Sequence, residues 1–397
     1  MISVNFCSPT LDLKAAWDDL VRRASANVFM DPAALTVADR TGFARVKVLL
    51  AWDDSTGLRK LVGVWALQVR KIAPLWPAVL EALPYNYAFL SSPVIDPMFV
   101  DTIIPAFLTA IRQSPLLPRV IKLTSLDAEA PSFAPLMTAV AEQGGVQLRL
   151  SEGMRPVATP EFGVKRSGST RKKLRQDWNR LATTGAVDII NSRGPEVPAA
   201  FETFLTLEAA SWKGARGTAL LCDAADAAFV RQMVAALAKS DNASVALLRV
   251  NGRAIAAQVL MYCGTAAYTW KTAFNPDYAK YSPGALLIDR ITDELFASGG
   301  VVVIDSCSAE GSFMAQLWSG RRKMADLLLD VGPGSSPTFW LEAARQRGYL
   351  QLRKLRDRVR TWSMPVSPKK GRLDRSPIGG TVMRRPALGK SNKIQQG

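Results

Sequence analysis

The spacing of apolar positions changes period along the chain, and the changes run in the same order twice. Leu13, Ala16, Trp17, Leu20 and Val21 stand at helical spacing and predict a helix over 12–25. Apolar runs at 46–52 and 61–69, parted by a polar turn at 53–57, predict a hairpin. Residues 85–90 are aromatic and predict a short strand, broken by Ser91-Ser92-Pro93; a helix at 97–113 and a strand at 120–123 follow. The second half predicts helices at 198–212 and 223–239, then a hairpin of 244–250 and 254–262 about Asn251-Gly252-Arg253. An aromatic strand at 266–273, a break at Tyr281-Ser282-Pro283-Gly284, a helix at 284–298 and a strand at 301–305 complete it. Helix, hairpin, aromatic strand, Ser-Pro break, helix and strand in one order imply a duplicated unit. Gly144-Gly145 and the prolines at 156 and 160 interrupt the pattern, so the units are taken as 1–155 and 156–335.

Beyond them, Leu341, Ala344, Gly348, Leu352, Leu355 and Val359 form one stripe, with arginines on the other face. This predicts a basic amphipathic helix over 336–360 whose stripe packs on the body. Residues 361–397 are rich in Pro, Gly, Ser, Lys and Arg and are expected to be a disordered basic tail.

Charge and composition narrow the chemistry. The net charge of +16 is carried by residues 165–180 (+6), 342–360 (+5) and 361–397 (+7), leaving the rest at −2. A near-neutral body with three basic attachments differs from a nucleic-acid-binding body, which more often spreads a basic face across its core. Histidine is absent, which removes Ser-His-Asp and Cys-His catalysis and every histidine metal site. The cysteines at 7, 222, 263 and 307 form no C-x-x-C pair, so neither a metal centre nor a disulfide framework is expected. No secretory signal opens the sequence, and the most apolar window, 73–90, holds Glu81 and three prolines, so no membrane span is expected. The expected location is cytoplasmic, with the basic C-terminus able to hold the protein at the inner face of the membrane.

The sharpest local motif is Lys280-Tyr281-Ser282-Pro283-Gly284-Ala285. Ser282 can cap a helix, Pro283 suits its first position and Gly284 lets a ligand approach the backbone. The free N–H groups there suit a pyrophosphate, with Lys280 adding charge. A well-capped core helix is the plain alternative.

The run Ala273-Phe274-Asn275-Pro276-Asp277-Tyr278-Ala279-Lys280-Tyr281-Ser282-Pro283-Gly284 resembles the acceptor-to-coenzyme segment of GNAT-type acyltransferases, in particular the CelD/BcsL group associated with cellulose and exopolysaccharide biosynthesis. That group is itself similar to the FemAB transferases, which carry two GNAT domains in tandem. Leu207-Glu208-Ala209-Ala210-Ser211-Trp212-Lys213-Gly214, Trp17 with Asn27-Val28-Phe29-Met30-Asp31-Pro32, Val303-Ile304-Asp305-Ser306 and Leu317-Trp318-Ser319-Gly320-Arg321 also fit, so the resemblance spans roughly 10–330. It implies an α+β fold of tandem GNAT-like domains, each a splayed mixed sheet flanked by helices. The first half, with Ser91-Ser92-Pro93-Val94 at the equivalent break, would be a degenerate partner walling the acceptor cleft. Acetyl-CoA or another acyl-CoA would bind the second half at 280–285, and no metal is implied. Trp212, Lys213, Trp270 and Lys271 would contact the substrates. Two departures stand out. Leu207-Glu208-Ala209 lacks the histidine common before the Ser-Trp motif, and Ser312-Phe313-Met314 replaces the usual Tyr-Lys.

Transfer from a thioester needs a positioned neutral nucleophile, a proton acceptor and an oxyanion donor. By motif, Glu208 and Asp305 are the candidate bases and Tyr268 a candidate donor to the departing thiolate. The alternatives are a solvated helix glutamate, a capping aspartate and a packed tyrosine. The functional expectation is acyl transfer to an amine or hydroxyl of a saccharide or other cell-envelope precursor. Basic residues 165–180 and 342–360 leave open an aminoacyl-tRNA donor of the FemAB kind. The missing Tyr-Lys leaves open a non-catalytic scaffold in polysaccharide assembly. An anionic membrane surface or an acidic protein partner would suit the basic C-terminus.

Overall fold

The structure is a computed structural model that describes residues 1–55, 57–165 and 168–362. The expected tail therefore lies, beyond Trp362, outside the described residues. The first half runs β1 (Ile2–Cys7), α1 (Lys14–Val21), α2 (Pro32–Arg40), β2 (Val46–Asp53), β3 (Lys60–Arg70), β4 (Val79–Glu81), β5 (Val94–Ile95), α3 (Val100–Gln113), β6 (Val120–Asp127), α4 (Phe133–Glu142) and β7 (Val146–Ala158). The second runs α5 (Ser169–Ala182), β8 (Val187–Ser192), α6 (Val197–Ala210), α7 (Trp212–Ala215), α8 (Ala224–Ala238), β9 (Ala243–Val250), β10 (Arg253–Cys263), β11 (Ala266–Phe274), α9 (Pro283–Ala297), β12 (Val303–Asp305), α10 (Met314–Leu317) and β13 (Gly320–Asp330). A long helix, α11 (Pro337–Trp362), follows.

The mixed α/β architecture is the expected one, with the sheets of the two halves fused. The strand order is β1-β2-β3-β4-β6-β13-β7-β12-β11-β10-β9-β8, with β5 beside β3. This order reads alike from either end. Each half contributes a hairpin, then a strand parallel to the one after its crossover helix: β4 with β6, and β11 with β12. The last strands are exchanged. β7 ends the first half and pairs with β12 of the second, while β13 ends the second and pairs with β6 of the first. β7 and β13 then pair antiparallel with each other from Gly320↔Val157 to Asp330↔Val146. A Cβ added at Gly320 would lie 2.5 Å from the Val157 carbonyl oxygen, so only glycine permits this close pass.

A charged knot ties the exchanged strands. Arg155 on β7 and Arg322 on β13 are direct cross-strand partners, an arrangement that repels unless neutralised. Asp305, at the end of β12, receives Arg322 Nη1 at 2.9 Å and Arg155 Nη1 at 3.5 Å, and accepts the Cys307 N–H at 2.7 Å. Its counterpart Asp127, at the end of β6, pairs with Arg322 Nε at 3.3 Å and accepts the Glu129 N–H at 2.9 Å. Each strand-end aspartate thus binds an arginine and the amide two residues on.

One hydrophobic cluster spans both halves, with Phe29, Trp65 and Phe107 from the first and Phe201, Phe204 and Phe229 from the second. Phe43 stacks on Phe229 with ring centroids 4.0 Å apart.

Two expectations are corrected. Residues 85–90 are not a strand: β4 ends at Glu81. Their backbone acceptors bond side chains instead, the Tyr87 carbonyl taking Trp270 Nε1–H at 3.0 Å and the Leu90 carbonyl taking Asn27 Nδ2–H at 3.1 Å. The stripe of α11 does not pack on the body. Phe339, Glu342, Ala343 and Gln346 do so, while Leu341, Leu352 and Leu355 are exposed. The anchor is Phe339, which joins Val79, Val120 and Leu328 and fixes the rotation of the helix.

Removing one partner from a buried charge network leaves the others uncompensated. Arg322→Met is expected to lower the free energy of unfolding in urea by about 3 kcal/mol. A loss below about 1 kcal/mol, the range of exposed pairs, would contradict a structural role for the knot.

Candidate active site

β11 and β12 stay together for three residue pairs, Ala266↔Val303, Ala267↔Ile304 and Tyr268↔Asp305. β12 then ends. The Ser306 N–H turns to the Pro156 carbonyl at 3.2 Å, and Cys307 takes a left-handed φ of 51°. β11 continues to Phe274 along β10, with a bulge. Thr269 pairs with Leu260 and Lys271 with Val259, so Trp270 is the extra residue. Bulges re-aim side chains and are frequent beside active sites. From Thr269 onward, among the described residues, no strand pairs the other edge of β11, and a wedge opens there.

The start of α9 is the turn that the sequence marks. Ser282 does not cap it with its side chain: its backbone is left-handed at φ 52°, and its carbonyl accepts the Ala285 and Leu286 N–H groups. Its hydroxyl instead accepts Lys173 Nζ–H from α5 at 2.9 Å. Lys280 is exposed, with its ammonium 5.0 Å from the Tyr281 ring centroid, and Arg180 of α5 lies 5.5 Å from the same ring. Lys173, Arg180 and Lys280 thus lie around one helix start, with the buried Asp177 carboxylate paired to Lys173 and, at 3.6 Å, to Arg180. Pro283 and Gly284 are buried and Ala285 half-buried. A Cβ at Gly284 would meet Thr272 and Phe274 at 3.5 and 3.6 Å, ordinary contact, so the glycine serves close helix–strand packing with room for alanine.

Glu208, Lys213 and Lys271 meet where α6 and α7 face β11. Glu208 is buried, and its carboxylate accepts Lys213 Nζ–H at 2.8 Å and the Leu220 N–H at 2.9 Å, so it is no solvated helix glutamate. Burial pushes its pKa up, but Lys271, Lys213 and the Leu220 amide outweigh that and hold it below the usual range. Burial pushes the Lys271 ammonium down to about 8; Glu208 opposes this shift and Lys213 adds to it. Lys271 Nζ lies 5.0 Å from the Tyr87 ring and 5.5 Å from that of Trp270. Trp212 is half-buried under Arg216, beside this group.

Trp270, buried, donates to Tyr87 and so joins the two halves. Tyr268 is buried, with its hydroxyl donating to the Ala26 carbonyl at 2.8 Å, and burial pushes its pKa far up. Asp305 sits in the knot with both oxygens bonded. The structure therefore gathers Glu208, Lys213 and Lys271, gathers 280–285 separately around α9, and ties Tyr268 and Asp305 into packing. Sequence reasoning missed Tyr87, whose hydroxyl donates to Asp226 at 2.6 Å, and the arginines of the knot. Arg322 directly follows the 317–321 motif and Tyr87 lies in the aromatic run, but their partners Asp305, Arg155 and Asp226 come from distant segments. A cavity of about 340 Å³ opens between β4, β6, β7, β13 and α11, lined among others by Arg70, Glu81, Lys122, Arg155, Ser308 and Gln346. Among the described residues no group of three or more His, Cys, Asp or Glu could hold a metal, and no helix is long and apolar enough to cross a membrane.

The fold binds fewer protons than the unfolded chain between the lowered Lys271 pKa and the ordinary lysine value of about 10.4. The cost of the buried ammonium is thus full below pH 8 and relieved above it. Unfolding free energy is expected to rise with pH across that window, and Lys271→Met should flatten the rise by about one proton. Equal slopes in urea titrations at several pH values would contradict this.

Residues 168–310 match the family model described as an acetyltransferase (GNAT) domain. No curated protein matches the chain. FemX is similar in fold, with a TM-score of 0.57 at 10% identity, over 83% of this chain and 98% of that one. L-PGS from Bacillus licheniformis gives 0.50 at 14%, over 86% and 97%, and a conserved protein of unknown function from Bacteroides thetaiotaomicron gives 0.51 at 11%, over 82% and 99%. The matched segment holds β11, the bulge, the start of α9 and β12. The segment that matches the acetyltransferase (GNAT) domain model is therefore the one in which β11 and β12 part.

Proposed function

We propose that the protein transfers an acyl group from acetyl-CoA or another acyl-CoA to an amine or hydroxyl of a saccharide or other cell-envelope precursor. The observation that carries this reading is the parting of β11 from β12, with three cations around the helix start at 282–284. In this reading residues 156–335 bind the donor. Lys173, Arg180 and Lys280 face its phosphates, and the unpaired edge of β11 offers amides to the thioester oxygen. Residues 1–155 wall the acceptor side, where Tyr87 lies against Lys271.

The acceptor atom bonds the acyl carbon as the C–S bond breaks; the acceptor loses a proton and the thiolate gains one. With both oxygens of Glu208 bonded, Lys271 is the better proton acceptor, because an appreciable part of it is neutral near pH 8. Glu208 then tunes the two lysines. The basic face of α5 beside the donor turn favours one second reading, an aminoacyl-tRNA donor as in FemAB-like transferases.

Calorimetry with acetyl-CoA is expected to show saturable binding. Lys173→Ala with Lys280→Ala should weaken it at least tenfold, in the range of about 1.5–3 kcal/mol per charge-assisted bond. No affinity for any acyl-CoA, with salt-dependent binding of charged tRNA instead, would favour the second reading. Once turnover is measurable, its rate should climb through pH 8, and Lys271→Met should remove that climb. An unchanged pH profile would exclude Lys271 as the proton acceptor.

A further inference from the structure

The apolar stripe of α11 lies bare. Leu341, Leu352 and Leu355 are 41%, 68% and 55% exposed, and Trp340 beside them is 54% exposed. The body grips the opposite face, through Phe339, Ala343 and the buried Glu342 and Gln346. The sequence of this segment, 342–360, carries seven Lys or Arg against two acids, and Arg347 is exposed.

Charge decides what can cover such a face. A second copy would press two segments of net +5 together, and the chain's own residues 361–397, at +7, are repelled in the same way. A nucleic acid would take the arginines and leave the leucines in water. An anionic lipid surface takes both: the leucines and Trp340 enter the headgroup–acyl boundary, and the net positive charge of the segment is attracted to lipid phosphates.

We propose that α11 lies flat on an anionic bilayer surface, with Leu341, Leu352 and Leu355 inserted and the protein body on the far side. Gln346, Tyr349 and Leu350 of the same helix also line the cavity between the halves, so docking sets that cavity beside the headgroups. The inference is independent of the acyl donor.

The full-length protein is sedimented with vesicles of phosphatidylcholine, alone or mixed with phosphatidylglycerol, at low and high salt. Binding is expected to need phosphatidylglycerol and to weaken with salt. The triple variant Leu341→Glu, Leu352→Glu, Leu355→Glu should partition at least about tenfold less. Exposed positions keep the fold, which circular dichroism checks; Leu352→Glu alone serves if the triple variant is unstable. Wild-type protein that stays in the supernatant would overturn the proposal. So would a stripe variant that binds as well as wild type, because the basic tail would then suffice. A wild-type dimer that the variant dissociates, with no vesicle binding by either, would assign the stripe to self-association instead.

Discussion

The antiparallel pairing of β7 with β13 is the contact on which the rest of the structure depends. It crosses the middle of the sheet, and each strand ends one half of the chain while completing the other. The halves therefore cannot part without breaking the sheet at its centre. The same exchange sets Arg155 opposite Arg322, and the strand-end carboxylates Asp305 and Asp127 neutralise the pair. Those two aspartates occupy equivalent points in the repeat and accept equivalent backbone amides. The charged residues thus follow the duplication as closely as the strands do.

The wedge follows from this constraint. β12 is only three residues long and is held on one side by β7, while its terminal aspartate is held by the knot. β11 is longer, is paired along β10 and bends at the Trp270 bulge. Two strands tied to different partners diverge once the shorter one ends. α9 then enters over β11 through Gly284, and α5 brings Lys173 and Arg180 to the start of α9. A chain without histidine keeps titratable chemistry here through burial: the Glu208, Lys213 and Lys271 cluster holds one lysine near neutrality among two other charges.

Much of this was legible in sequence because it is local. The hairpins about 53–57 and 251–253, the helix beginning at Pro283 and the strand ending at Asp305 all appear where period and turn chemistry mark them. What was hidden depends on partners distant in the chain. The aromatic run at 85–90 has strand composition, but side chains of Trp270 and Asn27 claim its carbonyls. Ser282 has the chemistry of a cap, yet a left-handed backbone aims its hydroxyl at Lys173. The stripe of α11 has the period of a packed face, but Phe339 sets the rotation and turns the stripe outward. Asp305 carries the family motif, and its tie to Arg155 and Arg322 appears only when the exchanged strands are seen.

The central claim is that an acyl donor lies along the unpaired edge of β11 with its phosphates at the start of α9. Hydrogen–deuterium exchange with and without acetyl-CoA tests it directly, because from Thr269 onward β11 has a strand partner on its β10 edge alone. Slowed exchange confined to residues 269–274 and 281–286 is the expected result. Unchanged exchange there, at a concentration where the ligand is bound, would contradict a donor site in the wedge.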